Sequence, residues 1–327
     1  YLKRCLDSFL VDTVLPSIEV IVVNDGSTDG TSQIAHDYEK KYPEVFRVLD
    51  KPNGGHGSGI NAGITMARGR YFKVVDSDDW IVREHLARFV KCLKDTAADV
   101  ILNSYHTVDL KSGAMVSFSL PEDLDGKVIS ISTLIARYNE IRDCCTFHGV
   151  TYSTQLLREH GYKLTEGVFY EDQEYATIYF HRAKSVLILP FYLYQYQIGD
   201  ENQSISIHNQ VCRISHIQVV AERIIEYWNQ FPDMDPDMNE YFIQKMSVFA
   251  TSYFATALVK NPEKKKGRKL AKVFYQYLQE NKPVLIERTT RKRTMLGIMN
   301  RLSFPPELYQ KLLYSSFYKK FREVWLQ

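Results

Sequence analysis

The stretch EVIVVNDGSTDG, residues 19–30, joins a short apolar segment directly to a polar turn. Residues 20–23 are Val-Ile-Val-Val, a β-branched run typical of a strand buried on both faces of a parallel sheet. Residues 25–30 are rich in helix N-cap residue types, and a helical pattern continues to about Tyr42. A strand, a polar turn and a helix in this order begin a βαβ unit, so the stretch predicts an α/β fold.

The alternation of strand-like and helix-like patterns continues over the first two hundred residues. After about Ser206, apolar residues recur at three- and four-residue spacing, which is typical of helices. We predict a mixed, mostly parallel sheet flanked by helices over residues 1–206, followed by a smaller all-helical C-terminal domain over residues 207–327. Beyond residue 30 the predicted strands are 45–49, 71–75, 100–107 and 192–196, and the predicted helices include 60–67, 83–95, 222–228, 240–259, 268–280 and 306–325.

The composition is that of a globular protein, with 45% hydrophobic and 24% charged residues. The sequence contains no run of 18 apolar residues, which argues against a membrane-spanning helix. Its five cysteines form no Cys-x-x-Cys pair, which argues against a zinc site or a disulfide framework and favours a reducing compartment. These features predict a cytoplasmic protein.

Polar side chains follow two of the predicted strands. Asp25 ends one strand and Asp76-Ser77-Asp78-Asp79 ends another, with the glycine-rich loop 51–59 between them in sequence. Carboxyl ends of parallel strands meet at one sheet edge, where such folds bind ligands. Glycines let the backbone approach a nucleotide closely, and carboxylate oxygens suit Mn²⁺ or Mg²⁺. The alternative, that these acids cap the next helix, explains Asp79 better than the whole cluster.

Four short motifs, taken in order, closely resemble family 2 glycosyltransferases of the GT-A fold. They are VNDGSTD at 23–29, NGG at 53–55, GRYF at 69–72 and DSDD at 76–79. With the first ten residues, which resemble the first helix of that family, the resemblance covers residues 1 to about 206. It implies an inverting, metal-dependent transferase that uses a nucleotide-diphosphate sugar, such as those that synthesise bacterial cell-surface polysaccharides.

The resemblance also implies roles for the residues that match the donor half of the site. Asp25 is expected to bind the nucleobase, usually uracil, so that a UDP-sugar is the expected donor. Asn53 and Gly54 are expected among the donor-binding residues. Asp76 and Asp78 correspond to the DxD pair, in which Asp76 contacts ribose or metal and Asp78 coordinates the metal.

Asp172 matches the position at which that family carries its catalytic base. An alcohol is a poor nucleophile at neutral pH, so a positioned carboxylate is needed to accept its proton. The alternative is that Glu171 and Asp172 merely begin a helix, where acids interact favourably with the helix dipole. Glu171 is expected to orient the base or to bind the acceptor. His148 is either an acceptor ligand or a packed structural histidine.

The segment 194–206 resembles the loop that closes over the diphosphate, with Gln197 and Ser204 as donor-binding residues. Relatives usually carry Arg where Gln197 stands, and a neutral amide binds phosphate more weakly than a guanidinium. Either the metal suffices, or another basic residue substitutes, with Arg182 and Arg213 as the candidates.

Two further family features have no counterpart in the sequence. The opening strand of the family is expected to precede Tyr1. The Gln-x-x-Arg-Trp motif of processive, membrane-embedded synthases is not found, which predicts transfer of single sugars to a carbohydrate or lipid-linked acceptor.

The C-terminal part of the chain is basic. From Lys260 onward there are 17 Lys and Arg against 5 Asp and Glu. A basic face beside an apolar stripe suits peripheral contact with the inner face of an anionic membrane. The alternative is a helical domain with a solvated basic face. Nucleic-acid binding is not expected, because no recognised reading module accompanies the charge.

Two other functions remain open from the sequence. One is a nucleotidyltransferase of the same fold, which would normally need a basic phosphate-binding signature early in the chain. The other is a catalytically weak sugar-nucleotide-binding partner or scaffold, in which Gln197 marks lost activity.

Overall fold

The computed structural model describes residues 1–199 and 206–314, and every structural statement below concerns those residues. They divide into two compact units. The first contains residues 1–199 together with Met234–Met238, and the second contains residues 206–233 and 239–314. The domain boundary expected near residue 206 stays a prediction.

The strands are β1 (Val20–Asp25), β2 (Phe46–Lys51), β3 (Tyr71–Phe72), β4 (Trp80–Ile81), β5 (Val100–Asp109), β6 (Met115–Phe118), β7 (Val128–Ser130), β8 (Val150–Ser153) and β9 (Ser185–Ile198). The α-helices are α1 (Leu2–Ser8), α2 (Thr31–Lys41), α3 (His56–Met66), α4 (Arg83–Asp95), α5 (Ile131–Ala136), α6 (Tyr138–Ile141), α7 (Thr154–His160), α8 (Asp172–Thr177), α9 (Ile207–Cys212), α10 (Ile214–Asn229), α11 (Pro236–Ala255), α12 (Lys264–Asn281), α13 (Pro283–Arg301) and α14 (Pro306–Tyr314).

The strands form two sheets. β1 and β2 pair in parallel, from Val20 opposite Phe46 to Asp25 opposite Lys51. The other seven strands form a sheet of order β3-β8-β5-β9-β4, with β6 added on β5 and β7 on β9. Apolar residues of α1, α2 and β2 form a buried cluster beside the two-stranded sheet, namely Leu2, Leu6, Ala35 and Phe46.

The predicted mixed α/β fold with flanking helices is confirmed, and the two longest strand pairings, β1–β2 and β5–β9, are parallel. Within the described ranges only the β1–β2 and β5–β9 pairings are parallel, and the other five are antiparallel. A hairpin that turns at Gly113, with φ of 71°, reverses the chain after β5. The short strands β3 and β4 run antiparallel to their neighbours β8 and β9. Hydrophobic periodicity reports burial and not strand direction, so it could not reveal the antiparallel pairing of β3 and β4.

The second unit is built from helices. Trp228 of α10 is buried, and its Nε1 donates a hydrogen bond to Asn239 Oδ1 of α11 at 2.9 Å. A Cβ atom on Gly267 of α12 would lie 1.9 Å from the carbonyl oxygen of Ala257, so the close helix contact there requires glycine. In the part of the chain that the structure describes, no helix is both long enough and apolar enough to cross a membrane.

Candidate active site

The carboxylate of Asp25, at the end of β1, organises the glycine-rich loop. Its oxygens accept hydrogen bonds from the backbone N–H groups of Gly54 and Gly55, at 2.9 and 2.7 Å, and from Lys51 Nζ at 2.5 Å. Burial alone would raise the pKa of Asp25, but the bonds from Lys51 and Gly54 outweigh it and lower the pKa below its usual value. Asp25 is therefore an ionised anchor for the loop that contains Asn53 and Gly54.

Glycine is required where this loop meets its neighbours. Gly55 has a φ of 84°, and a Cβ atom on it would lie 3.0 Å from the backbone nitrogen of Gly167. The same nitrogen donates a hydrogen bond to the carbonyl oxygen of Gly54 at 2.7 Å. The loop is thus held against the segment that leads to Glu171 and Asp172.

The acidic turn that follows β3 brings three carboxylates together. Oxygens of Asp76, Asp78 and Asp79 all lie within 4.8 Å of one another. Burial, and then the charge of Asp76, raise the pKa of Asp79 to about 8. A divalent cation would offset the repulsion between the carboxylates. Clustered carboxylate oxygens are also the donors that Mg²⁺ and Mn²⁺ prefer. The donor set therefore fits a hard divalent cation.

Asp79 is not the helix cap that the sequence favoured. The N-cap of α4 is Val82, which makes no side-chain capping bond. Asp79 is completely buried, and its two carboxylate oxygens accept hydrogen bonds from the Tyr194 hydroxyl at 2.5 Å and the Gln197 backbone N–H at 2.7 Å. Asp79 therefore ties the acidic turn to β9.

His56, at the start of α3, bridges the acidic turn to the segment around Asp172. Its Nε2 lies 3.0 Å from Asp76 Oδ1, and its Nδ1 lies 2.6 Å from Glu171 Oε1. Burial alone would lower the pKa of His56, but the two carboxylates raise it well above its usual value. No motif of the sequence points to His56, although its place in the glycine-rich loop between the two acidic motifs is a usable signal.

Glu171 and Asp172 lie at the start of α8, as predicted. Glu171 is the N-cap residue and is 2% exposed, so its carboxylate is committed to His56. Asp172 is the first residue of the helix, and its Oδ2 accepts a hydrogen bond from Gln173 Nε2 at 2.9 Å. The preceding Tyr170 has a φ of 74°, a strained conformation that is found preferentially at functional sites.

Tyr196 of β9 interacts electrostatically with both the acidic turn and Asp172. Burial, followed by the charges of Asp79, Asp76 and Asp172, raises the pKa of the Tyr196 hydroxyl far above its ordinary value. Together with the His56 bridge between Asp76 and Glu171, this places the start of α8 near the acidic turn, although the two are nearly a hundred residues apart in sequence.

His148 packs against two tyrosines of β9. Its ring stacks on Tyr196, with 4.1 Å between the centroids, and contacts Tyr194 edge to face. Its buried Nδ1 has no hydrogen-bond partner among the described residues. Burial lowers the pKa of His148 to about 4, so the ring is neutral at pH 7. This packing matches the structural alternative, and the acceptor role stays a prediction.

The basic residue beside Gln197 is Arg4 of α1. Gln197 is buried, and its Oε1 accepts a hydrogen bond from Arg4 Nη2 at 2.5 Å. Arg182, a candidate for this position, instead donates to the carbonyl oxygen of Glu159 at 2.9 Å. Arg213 lies in the second unit, and Ser204 lies outside the described residues.

Comparison with known proteins shows which of them this chain resembles. Residues 1–160 match the model of glycosyl transferase family 2. The chain is 26% identical over 206 residues to the glycosyltransferase GlyA of Streptococcus pneumoniae, which covers 61% of this chain and 29% of GlyA. It is 26% identical over 235 residues to the uncharacterized glycosyltransferase EpsJ of Bacillus subtilis, which covers 71% of this chain and 67% of EpsJ. The chain thus spans less than a third of the length of GlyA.

Solved structures share the fold. Residues 1–349 of TarS from S. aureus superpose with a TM-score of 0.60 at 19% identity, covering 92% of this chain and 88% of that one. The same fragment has been solved with UDP-GlcNAc, and that structure superposes with a TM-score of 0.51 at 18% identity, covering 86% and 87% of the two chains. The mannosyltransferase PcManGT of Pyrobaculum calidifontis, solved with GDP-Man and Mn²⁺, superposes with a TM-score of 0.51 at 16% identity, covering 92% and 83%.

Proposed function

Because the chain belongs to glycosyl transferase family 2 through its residues 1–160, we propose that it transfers a single sugar from a nucleotide-diphosphate sugar to an acceptor hydroxyl. The observation that carries the proposal is the cluster of Asp76, Asp78 and Asp79 within 4.8 Å, beside a glycine loop that Asp25 organises. Other bacterial relatives are named chondroitin synthase, hyaluronan synthase and poly(ribitol-phosphate) β-glucosyltransferase, which supports a role in cell-surface polysaccharide or glycoconjugate synthesis.

The donor half of the site consists of the glycine loop and the acidic turn. We assign Asp25, Asn53 and Gly54 to the nucleoside, and Asp76 and Asp78 to a divalent cation, Mn²⁺ or Mg²⁺. When bound, such a cation neutralises the diphosphate and so improves it as a leaving group. TarS binds UDP-GlcNAc and PcManGT binds GDP-Man with Mn²⁺, which supports a nucleotide sugar and a divalent cation here. We propose UDP as the nucleotide.

The acceptor half is assigned to the start of α8. Asp172 takes the proton of the acceptor hydroxyl as that oxygen attacks the anomeric carbon. The bond from this carbon to the phosphate oxygen breaks on the opposite face, its electron pair leaves with the nucleoside diphosphate, and the configuration inverts. Glu171, which is hydrogen bonded to His56, orients the start of α8 and with it Asp172.

The proposal is tested by incubating the protein with a panel of UDP-, GDP- and dTDP-sugars and candidate acceptors, with and without Mn²⁺, and in parallel with nucleoside triphosphates and sugar phosphates. We expect Mn²⁺-dependent release of nucleoside diphosphate with one class of donor. Tight UDP binding without turnover of any donor would contradict the proposal and favour a sugar-nucleotide-binding scaffold. Turnover that releases pyrophosphate from a nucleoside triphosphate would indicate a nucleotidyltransferase.

We also propose that the second unit contacts anionic membranes at the inner face of the cell membrane, where a lipid-linked acceptor would lie. Helix α13 with its C-cap residue Leu302, and helix α14, combine exposed basic residues with exposed apolar ones. Ile298, Leu302 and Leu308 are 52%, 73% and 46% exposed, and Arg301 and Lys311 are also exposed. Apolar side chains among cations suit insertion at an interface of anionic lipid.

Replacing Ile298 and Leu302 by Asp should weaken binding to liposomes that contain anionic lipid, by about fivefold or more per substitution. The reason is that one charge near such a surface is worth ~1 kcal/mol and apolar insertion is also lost. Liposome co-sedimentation measures the effect, and neutral liposomes give the baseline. Val248→Asp, at a position that is 56% exposed on α11, is the matched control. Equal binding of all variants would contradict membrane contact.

A further inference from the structure

Helix α1 is fastened to the acidic turn by Arg4. Its Nη2 donates hydrogen bonds to the backbone oxygen of Asp78 at 2.6 Å and to Gln197 Oε1 at 2.5 Å. Its guanidinium carbon lies 4.0 Å from the centroid of the Trp80 ring. A single side chain thus joins α1, the turn and the end of β9.

Two neighbours of Arg4 on α1 strengthen this connection. The Cys5 thiol donates to the backbone oxygen of Asp76 at 3.6 Å, and Ser8 Oγ accepts from the backbone N–H of Ile81 at 3.1 Å. The backbone of the segment from Asp76 to Ile81 is therefore held at three points by α1. The carboxylate of Asp79, within this segment, is held separately by hydrogen bonds from β9.

This arrangement matters because the turn concentrates negative charge. Three carboxylates within 4.8 Å repel one another, and the repulsion favours a spread conformation that would separate the ligand atoms. Arginine suits a restraint here because its guanidinium is always charged, donates hydrogen bonds and stacks on an aromatic face. Arg4 contacts the turn through a backbone oxygen and the Trp80 ring, which restrains the turn without occupying a metal-binding oxygen there.

We propose that Arg4 is a positioning residue that holds the acidic turn in the conformation that binds the divalent cation. This inference rests on the proposed function and adds a residue outside its motifs. Arg4 also links the cation site to Gln197, because its Nη2 donates hydrogen bonds both to the backbone oxygen of Asp78 and to Gln197 Oε1. Loss of Arg4 should thus impair cation binding before any sugar is transferred.

The experiment measures Mn²⁺ affinity directly, from the electron paramagnetic resonance signal of free Mn²⁺, in the full chain without substrate. The two possible roles of Arg4 predict opposite changes in Mn²⁺ affinity when Arg4 is replaced. If Arg4 acts only as a nearby positive charge, Arg4→Met removes a repulsion and tightens Mn²⁺ binding. If Arg4 positions the turn, Arg4→Met weakens Mn²⁺ binding, which we expect by about tenfold or more. Arg4→Lys keeps the charge but loses the planar guanidinium that stacks on Trp80, so it should recover only part of the loss.

Two further variants complete the design. Lys3→Met is the matched control, because Lys3 is 74% exposed and pairs only with Asp7, at 3.6 Å, among the described carboxylates. Gln197→Met should weaken Mn²⁺ binding in the same direction. Its effect should not add to that of Arg4→Met, because the two residues share one hydrogen bond. Circular dichroism at 20 °C verifies that each variant is folded.

The outcomes separate this inference from the proposed function. Unchanged or tighter Mn²⁺ binding by Arg4→Met, with a wild type that binds Mn²⁺, overturns the positioning role and leaves the transferase proposal intact. Fully additive effects of Arg4→Met and Gln197→Met overturn the link between the turn and β9. A wild type that binds no Mn²⁺ contradicts the metal-dependent transferase itself and removes the Arg4 role with it.

Discussion

Replacing Asp172 by Asn should lower kcat by about 10²- to 10⁴-fold while leaving donor binding nearly unchanged, because general-base catalysis contributes an effect of this size. Asn keeps the shape of the side chain and can still accept a hydrogen bond from Gln173 Nε2, as Asp172 does at 2.9 Å. It cannot take a proton from an alcohol at neutral pH. The loss should therefore fall on kcat, as expected for an interaction that matters only in the transition state. Steady-state kinetics and calorimetric UDP titration measure the two quantities.

The control for this variant is Glu166→Gln, which neutralises an exposed acid of the preceding loop that accepts a hydrogen bond from Asn61 Nδ2 at 3.1 Å. It should retain most of the wild-type kcat. Undiminished kcat in Asp172→Asn would remove Asp172 as the base. Equal losses in kcat and in UDP affinity would indicate a folding defect at α8 and not lost proton transfer.

Local sequence patterns predicted the parts of this site that depend on a few consecutive residues. The β-branched run 20–23 lies in β1, and the carboxyl end of that strand places Asp25 beside the glycine loop. The predicted helix 83–95 corresponds to α4, Arg83–Asp95, because its apolar residues follow helical spacing closely. The acidic cluster was recognisable because three carboxylates in four residues have no simple structural use.

Contacts between distant segments were beyond such patterns. His56 and Glu171 are 115 residues apart, and Arg4 and Gln197 are 193 residues apart, yet each pair is hydrogen bonded. Such pairs follow from strand order, which hydrophobic spacing does not encode. For the same reason the sequence favours a helix-cap role for Asp79, although its hydrogen-bond partners lie on β9. Sequence patterns thus single out Asp25, the acidic turn and the start of α8, but they do not reveal the contacts of His56 and Arg4 that connect these segments to others.

Replacing Asp78 by Asn should lower kcat/KM by about 10³-fold and should make turnover insensitive to Mn²⁺. The departing diphosphate develops charge that a cation at the acidic turn stabilises. One pair of unit charges 4 Å apart is worth ~4 kcal/mol at an effective dielectric constant of 20, which corresponds to roughly 10³-fold in rate. Asn at position 78 removes one of three carboxylates that lie within 4.8 Å. Its backbone oxygen can still accept the hydrogen bond from Arg4, so the turn keeps that restraint.

The matched experiment compares metal removal with removal of the ligand. Treating the wild type with EDTA should abolish turnover, and added Mn²⁺ should restore it, whereas the same treatment should leave the residual rate of Asp78→Asn unchanged. Asp95→Asn, at the exposed end of α4, controls for loss of one negative charge and should behave like the wild type. Full wild-type activity in EDTA would mean that the three carboxylates serve another purpose. In that case His56 and Arg4, both in contact with the acidic turn, would be the first positively charged groups to test for neutralising the leaving diphosphate.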